Sequence, residues 1–267
     1  MNATHPSDPS IWKIVRPATI IFGVSLALFL TGHIGGFDWL RSHSRILGAL
    51  SEWTPSLARG FLLDIWLTVA SGLIGTVLGV IIGYASLSKM EHLRRAIWLG
   101  IQFLRNTPGL VFLFAVAFAT PYQFDIGGTT IPFPPEAKVI FCFSLKISAN
   151  IAEIVRGAVN ATPVGQWEAG ITIGLSRFKI FRLIILPQCL PRMIPPWMNI
   201  MALFFTVVPI ASLVGIEDAV TYAGLAIASE DSSTLIMPFY LYVLTWFFCT
   251  AYILQEATRF LEKRNAE

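Results

Sequence analysis

Long apolar runs separated by short polar stretches organise this chain. Six runs are long enough to cross a membrane as helices, at about 17–35, 61–86, 99–119, 137–156, 193–214 and 236–256. The first reaches about 28 Å as a helix, close to the hydrocarbon thickness of a bilayer. A cleaved signal peptide is the alternative for that run. No small-x-small site follows it and a long tail precedes it, so a retained helix is expected. A polar connection at 36–60, with a possible surface helix, leads to the second run. The fifth contains Pro195, Pro196 and Pro209, whose freed backbone partners must be satisfied inside a bundle.

The polar stretch between the fourth and fifth runs is amphipathic and carries its own punctuation. Thr162 is placed to cap a helix that starts at Pro163. Gly174 is placed to end it in a left-handed turn. Ser176 is placed to cap a second helix, which Pro187 stops or kinks. Arg177, Lys179 and Arg182 lie in or beside this second helix.

Composition narrows the class. Of 267 residues, 55% are hydrophobic and 13% charged, against roughly 25% charged in a soluble domain. The expected fold class is an all-α polytopic membrane protein. A net charge of +3 without a basic run gives no reason to expect a nucleic-acid partner. Cys142, Cys189 and Cys249 are far apart, as are His5, His33, His43 and His92, so no metal site is expected. No Gly-x4-Gly-Lys-Ser/Thr motif is present, and no span gathers a nucleophile and base. Any ATP-driven step therefore needs a separate subunit.

Basic residues are distributed unevenly. Placing the first tail inside puts Lys13, Arg16, Lys89, Arg94, Arg95, Arg105, Arg156, Arg177, Lys179, Arg182, Arg192, Arg259, Lys263 and Arg264 on the inner side. Arg41, Arg45, Arg59 and Lys138 are left outside, and Lys146 lies within a span. The connection at 216–235 holds only acids among its charged residues. Both termini and the Glu168 stretch are therefore expected in the cytoplasm.

Two further patterns stand out. Gly75, Gly79 and Gly83 recur every fourth residue on one face of the second span. They suit a close helix–helix seam, either inside the bundle or against a second subunit. Charged or polar groups at membrane depth are costly and informative. Asp64, Lys146, Asn150 and Glu153 are candidates for a zwitterion pathway, with Lys146 facing a carboxylate and an acid facing an ammonium. The competing reading pairs Lys146 with an acid inside the bundle and Glu153 with Arg156.

At Glu168-Ala169-Gly170, Gly174, Ile184 and Leu186-Pro187 the chain resembles the permease subunits of bacterial ATP-binding-cassette importers. Their cytoplasmic loop reads Glu-Ala-Ala, three residues, Gly, nine residues, Ile, one residue, Leu-Pro. Gly170 departs from the second alanine, and mid-helix glycine costs about 0.5–1 kcal/mol, so a looser helix is expected. Arg105-Asn106-Thr107-Pro108 and Glu153-Ile154-Val155-Arg156-Gly157 resemble motifs of the polar amino-acid uptake branch. Thr206-Val207-Val208-Pro209-Ile210 departs from that branch, which often has Lys-Asp-Thr-Ser-Leu here. The resemblance covers about residues 60–257.

This resemblance implies a type I importer (MetI-like) permease fold with about six transmembrane helices. It implies a cytoplasmic tail at 1–16, a first helix and periplasmic connection at 17–60, a permease core at 61–257 with its coupling loop at 157–187, and a tail at 258–267. Trp167, Glu168, Ala169, Gly170, Gly174, Arg177, Leu186 and Pro187 would meet the ATPase. The implied partners are cytoplasmic ATPase subunits, a second permease (same or paralogous), a periplasmic solute-binding protein, an amino acid and membrane lipid. ATP and magnesium would be held by the partner, with no cofactor and no enzymatic activity in this chain. The implied location is the bacterial inner membrane. An ion-coupled secondary transporter or channel is the alternative, but such proteins commonly carry internal repeats and none is evident.

Overall fold

The computed structural model describes residues 36–230 and 232–266. The first predicted span at 17–35 and the tail before it lie outside the described residues. The chain divides into two compact units, residues 1–52 and 53–267, and the contacts below all belong to the second.

Helix α1 (Gly36–Ala85) includes the stretch at 36–60 that the sequence pattern reads as a polar connection. Pro55 lies inside it, but its position is exposed, so the one lost backbone donor leaves a carbonyl that solvent reaches. The expected third span is instead two helices, α2 (Glu91–Asn106) and α3 (Gly109–Ala119), bent by 101° at the break. Pro108 forces this, since it lacks an N–H and drives Thr107 to the extended ψ of 129°.

A hairpin follows, β1 (Gln123–Ile126) and β2 (Thr129–Pro132), antiparallel with Ile126 opposite Thr129. Gly127 and Gly128 turn it with φ of 60° and 84°, the pair of positive angles a tight hairpin demands. The Gly-Gly pair between two β-prone triplets was the available signal, which a reading for spans alone passes over.

Helix α4 (Pro135–Asn160) is the centre of the bundle. Val139, Cys142, Ile147, Ala152 and Val155 are fully buried. The glycine repeat of α1 lies against α4 of the same chain. A β-carbon at Gly75 would fall 2.7 Å from Ile147 Cβ, one at Gly79 2.5 Å from Ile151 Cβ, and one at Gly83 2.7 Å from Val155 Cβ. Gly79→Val is accordingly expected to lower the thermal midpoint of the detergent-solubilised protein, by an overpacking cost of about 1–3 kcal/mol or more. Leu78→Val, on the exposed side, should leave it unchanged. Equal midpoints for both would mean the two helices do not approach this closely.

Beyond α4 come α5 (Val164–Thr172), α6 (Arg177–Ile180) and α7 (Leu186–Val207), with a π-helical turn at Phe181–Ile185. Of the two outcomes expected at Pro187, a stop or a kink, the helix does not stop: a π-helical turn precedes the proline. The wide turn absorbs the missing donor and the helix continues through Pro191, Pro195 and Pro196. A 3-10 turn (Val208–Val214) closes on Gly215 at φ 87°. The connection at 216–235 is not plain loop: it holds α8 (Ala219–Ser229), whose Ala219, Ala223 and Ala226 are buried. Helix α9 (Ile236–Ala266) completes the chain. Phe61, Phe205 and Phe247 bind α1, α7 and α9 together with ring centroids 5.0–6.0 Å apart.

Ser44–Ala85, Arg177–Val214 and Ser233–Leu261 are long and apolar enough to cross a membrane. The bent α2–α3 pair makes a fourth if the pair is taken as one span. Helix α4 is long enough for a fifth at 26 residues, although it carries Lys138, Lys146, Glu153 and Arg156.

Candidate coupling site

The segment between α4 and α7 is a helix, a glycine corner and a second helix. Its start differs from the sequence expectation by one residue. Pro163, not Thr162, is the N-cap of α5, at an extended ψ of 134°. Thr162 is drawn back into the end of α4, where its hydroxyl donates to Ala158 O at 3.3 Å and lies 3.3 Å from Cys189 Sγ.

The corner at Gly174 has φ 78°. Gly174 N–H donates to Ile171 O at 2.9 Å and Leu175 N–H donates to Gly170 O at 3.1 Å. These two bonds form a Schellman cap, which needs a left-handed residue at the position of Gly174. Ser176 Oγ accepts from Lys179 N–H at 3.4 Å and starts α6. Gly170 is buried, and a β-carbon there would meet Ile180 Cγ1 at 2.7 Å. The glycine therefore lets α5 and α6 cross closely, so its place in the motif tightens the corner. Arg177 lies over the Trp167 ring at 6.0 Å.

This segment is tied to three helices of the bundle. Tyr84 near the end of α1 meets Phe178 and Phe181, with centroids 5.7 and 4.5 Å away. Thr162 and Cys189 join α4 to α7, with Cys189 Sγ 3.4 Å from Ala158 O. Gln188 Nε2 donates to Gln166 Oε1 at 3.4 Å. By contrast, Glu168 and Ala169 are exposed, and Ile171, Ile173 and Phe178 are 54%, 71% and 54% exposed. The corner thus presents an apolar edge with one acid to whatever lies beyond the bundle. Leu186 and Pro187 sit just past the π-helical turn.

The polar residues of α4 meet the bent pair. Lys146 Nζ donates to Leu104 O at 2.9 Å and Thr107 O at 2.7 Å, the orphan carbonyls at the end of α2. No acid pairs with it among the described residues. Asn150 Nδ2 donates to Lys146 O at 2.8 Å. Glu153 lies 2.6 Å from Arg156 Nη2 and 3.8 Å from Arg105 Nη1. Of the Arg105-Asn106-Thr107-Pro108 stretch, Arg105 and Thr107 are therefore held to α4, on the α2 side of the bend. Lys138, which the sequence reading left as an outer charge, repeats the device. It is 2% exposed, donates to Ala117 O and Thr120 O at 2.8 Å each, and lies 4.0 Å from the Tyr122 ring centroid. A lysine inside an apolar helix was the available signal for it.

Asp64 is not brought near Lys146. It packs at the start of α8, where Oδ2 accepts from Ala219 N–H at 3.4 Å. Gly60, one turn earlier, is so close that a β-carbon would lie 2.4 Å from Ala219 N. Asp218 caps α8 through Thr221 N–H at 2.7 Å, and burial pushes its carboxyl above the usual carboxylate range against that bond. Asp64 Oδ1 and Asp218 Oδ2 are buried without a hydrogen-bond partner among the described residues.

A glycine-cornered helix pair thus lies between α4 and α7 of a helical bundle built largely of apolar helices. The chain belongs to the family of binding-protein-dependent transport system inner membrane components, whose family pattern matches residues 75–263. It is therefore a multi-pass protein of the inner membrane. It is 32% identical to the probable amino-acid ABC transporter permease protein YckA of Bacillus subtilis over 215 residues, 80% of this chain and 91% of that protein. It is 31% identical to the glutamine transport system permease protein GlnP of Escherichia coli over 61% of this chain and 69% of that one. Among solved structures, an amino acid ABC transporter with histidines matches at TM-score 0.68 and 21% identity, covering 80% of this chain and 96% of that one. The inward-facing MetNI methionine ABC transporter matches at 0.60 and 21%, covering 78% and 95%. Both share the fold.

Proposed function

We propose that this chain is the permease subunit of an importer for amino acids or similar small zwitterions. The observation that carries the reading is the exposed apolar corner around Glu168 and Gly174, tied to α1, α4 and α7. Such a corner suits a docking groove on an ATPase subunit. A movement of that subunit would reach the bent pair through α4, whose Lys146 and Glu153 hold it. The amino-acid class rests on the relatives' names. The basic-residue asymmetry supports cytoplasmic termini and a cytoplasmic Glu168. The partners would be ATPase subunits that hold ATP and magnesium, a second permease and a periplasmic binding protein. Lys146 has one N–H left for a substrate carboxylate. Asn150 and Glu153 line the same helix, and Asp64 lies at the opposite end.

Co-expression with a candidate ATPase and binding protein, followed by reconstitution in vesicles, tests this. ATP inside should drive uptake of an amino acid held by the binding protein. Cysteines at residues 125 and 227 should react from outside intact cells and one at 92 should not. Failure to retain any ATPase, or reaction of residue 92 from outside, would overturn the reading.

A further inference from the structure

At the Glu168 end of the bundle, α2, α4 and the turn after α1 line a half-open cavity of about 230 Å³. Its wall carries Arg94, Arg95 and Trp98 of α2, Glu153 and Arg156 of α4, and Ser86 just past α1. The charge there is lopsided. Glu153 is the one acid on the wall and already serves two cations, Arg156 at 2.6 Å and Arg105 at 3.8 Å. Arg95 reaches outward to Glu91 at 2.6 Å. Arg94 makes no ion pair or side-chain hydrogen bond among the described residues.

The surroundings are apolar. Trp98 is half exposed, and Leu99 and Phe103 on the same helix are 60% and 65% exposed. Ile101 on the inner side is buried against Ala149 and Ala152, so α2 is fixed with its basic stripe beside the cavity and an apolar stripe facing out. Arginines clustered at the membrane surface beside a tryptophan and exposed aliphatic groups are the chemistry that an anionic lipid satisfies. A soluble anion would meet the arginines and leave the apolar stripe without a partner.

We propose that this cavity binds the phosphate of an anionic phospholipid headgroup, with Arg94, Arg95 and Arg156 as its cationic wall and acyl chains along Leu99 and Phe103. The site goes beyond the transport reading and depends on it only for the leaflet, which is the cytoplasmic one.

The permease complex, purified from a lipid pool of equal phosphatidylglycerol and phosphatidylcholine, provides the test. Lipid retained per complex is counted by mass spectrometry. The wild type should hold phosphatidylglycerol in excess. Arg94→Gln should lower that excess about fivefold, the worth of one basic residue at an anionic surface, and Arg94→Lys should keep it. Arg192→Gln, an exposed charge on another helix, should change nothing. Arg94 is exposed and makes no ion pair or side-chain hydrogen bond among the described residues, so loss through misfolding is not expected, and gel filtration checks it. Equal retention of the two lipids, or an unchanged excess in Arg94→Gln, would overturn the proposal. So would complete displacement by inorganic phosphate but not by chloride at matched ionic strength, which would assign the site to a free anion. No outcome depends on transport, so this proposal and the functional one fail separately.

Discussion

Gly174→Pro is expected to reduce ATP-driven uptake to background while the protein still inserts in the membrane. The corner holds Gly174 at φ 78°, and proline is fixed near −65°. Proline also removes the N–H that donates to Ile171 O at 2.9 Å. The Schellman cap cannot form, so the helix carrying Glu168 must leave the helix carrying Arg177 at a different angle. No span is altered, so insertion and the amount of protein should stay normal. Glu168→Lys is the milder test of the same element. Loss of a charge that is buried and paired on docking typically costs 2–5 kcal/mol of binding, so ATPase association or binding-protein-stimulated hydrolysis should fall at least tenfold. Wild-type uptake and stimulated hydrolysis in both variants would remove this segment from the transmission path.

Lys146→Met is expected to be the most damaging single change inside the bundle. The ammonium satisfies Leu104 O at 2.9 Å and Thr107 O at 2.7 Å from a residue only 9% exposed. Methionine has similar length and fills the space, so the loss is polar and leaves no void. Hydrogen bonds from charged donors contribute roughly 1.5–3 kcal/mol each, so a cost of about 3–6 kcal/mol is expected for the two. The bend at Thr107–Pro108 would lose its hold on α4. A lowered thermal midpoint together with lost uptake is the expected result. Lys146→Arg, which keeps the charge, should recover part of the midpoint. A normal midpoint with changed substrate preference would instead assign Lys146 to cargo alone.

These two residues were legible in the sequence to different depths. Gly174 stood at a fixed distance from Glu168 and Leu186-Pro187, between two helix-capping signals, so its backbone conformation could be inferred from spacing alone. Lys146 could be recognised as a costly charge in an apolar run. Its partners could not, because carbonyls at the end of another helix carry no sequence mark. The competing expectation of an acid partner failed for that reason: helix ends offer acceptors that any long cation can reach. Thr162 failed similarly as an N-cap, since a hydroxyl at a helix junction can bond backward as easily as forward.

The sequence by itself determined the class, the second, fifth and sixth apolar spans and the glycine corner. Each rests on local chemistry, namely composition, hydrocarbon length and turn conformation. The glycine repeat at 75, 79 and 83 was equally visible as a face without side chains. Only the tertiary structure decided what fills that face, because Ile147, Ile151 and Val155 lie on α4, far along the chain. It likewise decided the 101° bend, where Pro108 marks a break and Lys146 and Glu153 reach Leu104, Arg105 and Thr107 on its α2 side. Helix α8 and the Asp64–Asp218 meeting were hidden for the same reason. A short apolar helix reads as a loop until Gly60 leaves room for it to pack.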